Sequence, residues 1–144
     1  MKLLKIYSKG KILNIDAYIQ LQELDRTNPN FKGCGNEFKQ NRDWWVILDK
    51  KKTIVAYCGS IYTQGICIFN RAWVDKRFRG LGIHKKLIKI RLKAAKENCY
   101  IAITYTTKDN YPSANNLISC GFKFYFPEYA YGGDEMLYFH KNLG

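Results

Sequence analysis

Arg77, Arg79, Gly80, Gly82, His84 and Lys85 lie close together within Val-Asp-Lys-Arg-Phe-Arg-Gly-Leu-Gly-Ile-His-Lys-Lys-Leu, residues 74–87. Their types and spacing suit a pyrophosphate. Glycine reaches backbone angles closed to other residues and lets the main chain approach a ligand closely. A helix starting just after the glycines presents its first N–H groups and the positive end of its dipole. Arg77 and Arg79 add fixed positive charge beside it. Two familiar phosphate patterns fail on spacing. The dinucleotide fingerprint needs a third glycine where Lys85 stands, and an acid about 20 residues on, where residues 101–105 offer none. The triphosphate loop G-x-x-x-x-G-K-[ST] is absent. Taken alone, the segment also fits an ordinary turn between a strand and a basic helix.

The elements that must position this turn follow from hydrophobic period and cap residues. Residues 2–8 read as a strand, and residues 14–26 as an amphipathic helix capped by Asn14, with Ile15, Tyr18, Ile19 and Gln22 in near-helical spacing. Residues 27–42 read as a long loop with a short helix near 37–40. Strands at 44–48, 53–62 and 66–74 form an antiparallel meander. Residues 83–98 are the strongest helix. Ile83, Leu87, Ile90 and Ala94 share one face, Ile88, Leu92 and Ala95 widen it, and Lys85, Lys89, Lys93 and Lys96 face water. A strand at 100–106 completes a βαβ crossover. Ser113 is expected to cap a short helix stopped by Gly121, and strands at 122–126 and 136–140 close the chain.

In that context Arg77-x-x-Gly80-x-Gly82 resembles the acyl-coenzyme-A signature [QR]-x-x-G-x-[GA] of the GNAT superfamily of N-acetyltransferases. About 30 residues on, the run from Asn110 through Ser113 and Leu117 to Gly121-Phe122 resembles that family's second signature. The resemblance implies an α+β fold over one domain, residues 1–144. Its mixed central sheet would have six to seven strands, flanking helices and a splay between the fourth and fifth. It implies acetyl-CoA, or another short acyl-CoA, as cofactor. Trp73, Val74, Arg77, Arg79, Gly80, Leu81, Gly82, Ile83, His84, Lys85, Asn110 and Ser113 would bind it, with the Val74 N–H on the thioester oxygen.

Two family features are missing. The position of the usual thiolate-protonating tyrosine is Leu117, and Tyr105, Tyr111 and Tyr125 stand nearby without its spacing. The fourth strand reads Phe69-Asn70-Arg71-Ala72-Trp73 where many members carry a glutamate base. Glu37, Glu128, Asp134 and Glu135 are loop substitutes. The family's acceptor side corresponds here to residues 26–43 and 127–135. In the second loop Glu128, Tyr129, Tyr131 and Asp134 combine acids with aromatic rings, which suits a cationic amine. An ordinary surface loop with its tyrosines on the core is the alternative.

The chain has 144 residues, 47% hydrophobic and 15% aromatic, a globular composition rather than a disordered one. No apolar run reaches membrane-spanning length, and the N-terminus lacks a signal-peptide core, so a cytoplasmic protein without membrane association is expected. Cys34, Cys58, Cys67, Cys99 and Cys120 form no metal or disulfide pattern, and no metal is expected. Net charge is +12; residues 71–98 hold ten basic groups against Asp75 and Glu97. Such a field attracts a polyanion, coenzyme A or nucleic acid, and also fits a solvated helix face. The reading is an N-acetyltransferase acting on a small-molecule or protein amine, as a monomer or homodimer. A nucleic-acid-linked amine or a non-catalytic acyl-CoA-binding module are the alternatives.

Overall fold

In the computed structural model, which describes residues 1–29 and 41–144, the strand-forming runs assemble into one sheet. Its strands are β1 (Lys2–Ser8), β2 (Lys11–Ile12), β3 (Arg42–Leu48), β4 (Ile54–Thr63), β5 (Ile66–Val74), β6 (Ile101–Thr107), β7 (Lys123–Tyr125) and β8 (Met136–Asn142). They lie in the order β2-β1-β3-β4-β5-β6-β8-β7. All neighbours are antiparallel except β5 and β6, the parallel pair that the crossover requires. The sequence led to six or seven strands; the eighth is the two-residue β2, too short for a periodicity signal. The predicted fourth strand is therefore β5. The helix expected near 37–40 lies outside the described residues.

Strand alternation sends side chains to two separate cores. Trp44 and Val46 pack with Ile6 and Leu21 under α1 (Ile15–Thr27), while Trp45 and Ile47 pack with Ile83 and Leu87 of α2 (Ile83–Ala95). Leu117 of α3 (Tyr111–Ser119) joins Ile88, Leu92, Phe69 and Phe139 on that second face.

Two expectations change here. Asn14 does cap α1, accepting the Ala17 N–H at 3.0 Å, but Ile15 and Ile19 are exposed. The buried stripe is Ala17, Leu21 and Asp25, because Asp25 is drawn inward by buried polar partners. Ser113 does not cap α3. Pro112 is tolerated in a helix's first turn, so the helix begins earlier and Asn110 caps it, accepting the Ser113 N–H at 3.2 Å. Gly121 stops it as expected: at φ +96°, with Phe122 N–H on Leu117 O and Gly121 N–H on Ile118 O, it forms a Schellman end.

The decisive irregularity is a bulge. Cys58 of β4 opposes Ala72 while Gly59 opposes Asn70, which leaves Arg71 as the extra residue, at φ +55°. Its guanidinium reaches Asp25 Oδ2 at 2.6 Å with both side chains buried, and Tyr57 Oη donates to Asp25 Oδ1 at 2.9 Å. Asn28 donates to Tyr57 Oη at 3.0 Å. Across the sheet Arg91 lies 4.3 Å over Phe69 and donates to the carbonyls of Leu87 and Gly59. Arg71 and Arg91, counted in the basic field, are thus buried structural groups. A bulge bends its strand and increases its twist. Here β5 pairs with β6 only from Ile66 to Ile68, opposite Ile101 to Ile103, and the two then diverge.

Candidate acyl-CoA site

The divergence opens a fork. At its base the Thr104 hydroxyl donates to the Phe69 carbonyl at 3.1 Å. At the end of β5, Asp75 donates its N–H back to Val55 O at 2.9 Å, so strand alternation turns the N–H and C=O of Val74 toward the open side. The Val74 carbonyl accepts Arg79 Nε at 3.0 Å. Trp73 is half-buried on the α1 face, its ring 5.6 Å from Tyr57.

From Val74 the chain runs into a one-turn 3₁₀ helix, Lys76–Phe78, whose cap Asp75 accepts the Arg77 N–H at 2.9 Å. Asp75 also takes Arg77 Nε and Nη2 at 3.2 and 3.1 Å, and this pairing holds its carboxyl below the usual range. Arg77 is therefore already matched to an acid, whereas Arg79 is turned toward the fork. Gly80 and Gly82 both stand at φ +79°, and a Cβ on either would meet nothing within 4 Å. Their glycines answer to backbone conformation and ligand approach, not to packing.

Gly82 is the N-cap of α2, whose first backbone bond is Lys86 N–H to Gly82 O at 3.1 Å. The N–H groups from Gly80 to Lys85 make no hydrogen bond among the described residues. Leu81 projects outward, 66% exposed. A row of unpaired donors at the positive end of a helix, with space above both glycines, fits a pyrophosphate. The Arg-x-x-Gly spacing occurs twice, and the Arg79…Gly82 pair is the one that meets both the fork and the helix start.

His84 has a second role that its position in the turn did not reveal. Asn116 of α3 donates its amide to His84 Nδ1 at 3.2 Å, joining the glycine turn to the other signature helix. Burial, with a smaller contribution from Arg91, pushes its pKa down to about 4, so the imidazole is neutral at pH 7. Lys85 and Ser113 are half-buried. Leu117 is buried in the core, so that position offers no acid.

The loop between β7 and β8 is brought to the β6 side of the fork. Tyr131 packs at 5.4 Å on Tyr105 and 5.3 Å on Tyr138, and Gly132 is close enough that a Cβ would meet the Tyr105 ring at 2.6 Å. Tyr138 accepts the Gly132 N–H and donates to the Gly133 carbonyl. The Tyr131 hydroxyl is buried with no partner among the described residues. Glu128, Tyr129 and Asp134 are exposed, and Glu135 pairs with Lys108 at 3.3 Å. Of the four expected acceptor residues, only Tyr131 is packed inward. Glu37 lies outside the described residues. The Arg71–Asp25–Tyr57 cluster on the opposite wall escaped sequence reasoning, because nothing local marks a bulge at an arginine.

Among the described residues no group of three acidic, histidine or cysteine side chains could hold a metal, and no helix is long and apolar enough to cross a membrane. No curated protein matches the chain. Solved structures do. An aminoglycoside 6'-acetyltransferase type Ii has a TM-score of 0.76 at 15% identity, covering 99% of this chain and 97% of its own. The ribosomal-protein-S18-alanine N-acetyltransferase of Escherichia coli has a TM-score of 0.70 at 10% identity, covering 99% and 93%. A Bacillus anthracis protein described as a streptothricin acetyltransferase, solved with acetyl coenzyme A, has a TM-score of 0.61 at 22% identity, covering 71% and 63%. The model of the acetyltransferase (GNAT) family matches residues 11–122. The forked sheet, the glycine turn and this match together place the chain in the GNAT family of acetyltransferases, whose cofactor is an acyl-CoA.

Proposed function

We propose that the chain is an N-acetyltransferase that moves an acetyl group from acetyl-CoA to a primary amine of a small molecule or protein, by direct transfer with both reactants bound. The observation that carries this reading is the junction of an open β5–β6 fork with a row of unpaired N–H groups at the start of α2. Acetyl-CoA supplies an activated acyl carbon when bound. The N–H groups from Gly80 to Lys85 hold its pyrophosphate, and Trp73, Arg77, Arg79, Asn110 and Ser113 flank its path. The Val74 N–H hydrogen-bonds the thioester oxygen. Alignment of two bound reactants and such preorganised donors account for most of the acceleration in acyl transfer. A side-chain acid or base typically adds about 10²–10⁴-fold. The missing tyrosine and glutamate therefore lower the expected rate without removing the activity.

The acceptor enters from the α1 face, between Trp73 on one side and Tyr105 and Tyr131 on the other. Ring faces attract a cation, and Glu128, Tyr129 and Asp134 form a rim of the right sign. The Tyr131 hydroxyl, buried without a partner, is the group we assign to a hydrogen bond with the acceptor. The similarity to an aminoglycoside 6'-acetyltransferase supports a polyamine or aminoglycoside acceptor, and that to a ribosomal-protein acetyltransferase supports a protein amine. The free thiols of Cys58, Cys67, Cys99 and Cys120 fit a reducing, cytoplasmic setting.

The test is release of free coenzyme A thiol from acetyl-CoA with aminoglycosides, polyamines, peptides and aminoacyl-tRNA as acceptors. Amine-dependent release is expected, with Tyr131→Phe raising KM for the amine and leaving acetyl-CoA affinity unchanged. Release with none of these acceptors, alongside intact acetyl-CoA binding, would make the chain a non-catalytic acyl-CoA-binding module.

A further inference from the structure

The 13 residues of α2 include four lysines, one arginine and no acid, and Lys96 follows as C-cap. Arg91 is buried, but Lys86, Lys89, Lys93 and Lys96 are exposed and make no ion pair among the described residues. Lys89 and Lys93 are four apart, Lys93 and Lys96 three apart, spacings at which like charges oppose the helix. No carboxylate on α2 offsets that opposition. The helix is held instead by Ile83, Leu87, Ile88, Leu92 and Ala95 on its buried face. The lysines serve no visible purpose in folding.

Lys89, Lys93 and Lys96 line an open cavity of about 360 Å³ with Leu92, Cys120 and Lys141. Lys141 comes from β8, across the groove. Its ammonium lies against Gly121, where a Cβ would sit 2.5 Å from Nζ, at the negative end of α3. Positive charge thus converges on this groove from two elements. At 1.5 Å of rise per residue, Lys89 and Lys96 lie roughly 10 and 21 Å along α2 from Gly82. The groove is distinct from the pyrophosphate turn.

The charges are strung along a helix rather than gathered around a buried point. Small-molecule sites use a few fixed, convergent polar groups in a concave, mainly apolar pocket. Lysine ammonium groups are mobile point charges without the planar fork that reads a particular phosphate or base edge. A row of them matches a repeating anion instead, and a phosphate backbone is bound this way without reading sequence. We infer that the lysine ridge of α2, with Lys141 opposite, binds the phosphate backbone of a nucleic-acid strand without base specificity. This surface is independent of the acyl-transfer reading.

The test is fluorescence anisotropy of a labelled 12-nucleotide oligouridylate against the full chain at several salt concentrations. Binding is expected with Kd of about 1–100 μM near physiological salt, in the range of non-specific binding. The slope of log K against log salt should be about −2 to −3, for three or four phosphates at roughly 0.7 each. Lys89→Gln/Lys93→Gln/Lys96→Gln should weaken binding at least tenfold, flatten the slope by about 2, and leave acetyl-CoA affinity unchanged. Lys11→Gln/Lys50→Gln/Lys51→Gln, the same charge change elsewhere on the surface, should stay within twofold of wild type. Equal loss in both variants, or no salt-dependent binding, would overturn the proposal. Displacement of the oligonucleotide by inorganic tripolyphosphate at equal phosphate concentration would also overturn it, in favour of a small-anion site.

Discussion

His84 contributes in two ways: its backbone N–H belongs to the unpaired row at the start of α2, and its side chain joins α2 to α3. Its place in the glycine turn marked it as a phosphate neighbour, yet its ring is turned to Asn116 and kept neutral by burial. The linkage has a definite sign. A histidine whose pKa falls from 6.5 to about 4 on folding is neutral in both states above pH 6.5. As pH falls below that, the unfolded chain takes up a proton that the folded one refuses, so stability drops toward pH 4 by up to about 1.4 kcal/mol per pH unit from this group. Urea unfolding at pH 7, 6, 5 and 4.5 should show that loss in the wild type and a smaller one in His84→Gln. Parallel curves for the two proteins would mean that His84 is not held neutral.

At the scale of elements, the fork depends on a bulge whose extra residue is clamped by a buried ion pair. Removing one partner of such a pair strands the other charge, typically at a cost of about 3–5 kcal/mol. Asp25→Ala should lose stability of that order by urea unfolding, whereas Glu23→Ala, whose ion pair to Arg26 is exposed, should lose under about 1 kcal/mol. Similar losses in both would contradict a structural role for the Arg71–Asp25 pair. The elements themselves were largely legible. Both signature helices, the meander, the crossover and the Gly121 stop followed from period and glycine, although α3 is capped by Asn110 and not by Ser113. The α1 face was not, because Ile15 and Ile19 mimic a buried stripe while Asp25, the residue that fixes its orientation, looks like a surface acid. The bulge was not either, since it exists only through pairing with β4 and a carboxylate 46 residues away. Within the candidate site, the glycine turn and the helix start after it could be read from local spacing. The acceptor walls proposed above could not, being drawn from β5, β6 and the β7–β8 loop.

For the whole molecule, the net charge of +12 resolves into distinct populations once its groups are placed. Arg71 and Arg91 are internal, Arg77 is matched by Asp75, Arg79 is turned to the fork, and Lys89, Lys93 and Lys96 line a separate groove. The proposed acyl-CoA site lies at the N-terminal end of α2, and the lysine groove lies farther along it. The most direct measurement is calorimetric titration of acetyl-CoA into the wild type, Gly82→Ala and Gly82→Val, with thermal unfolding recorded for each. At φ +79° both side chains are strained, and valine would also occupy the approach to the N–H row. Micromolar binding is expected for the wild type, weaker binding for Gly82→Ala, and none for a still-folded Gly82→Val. Wild-type affinity in a folded Gly82→Val, or no binding by the wild type, would contradict the proposed acyl-CoA site.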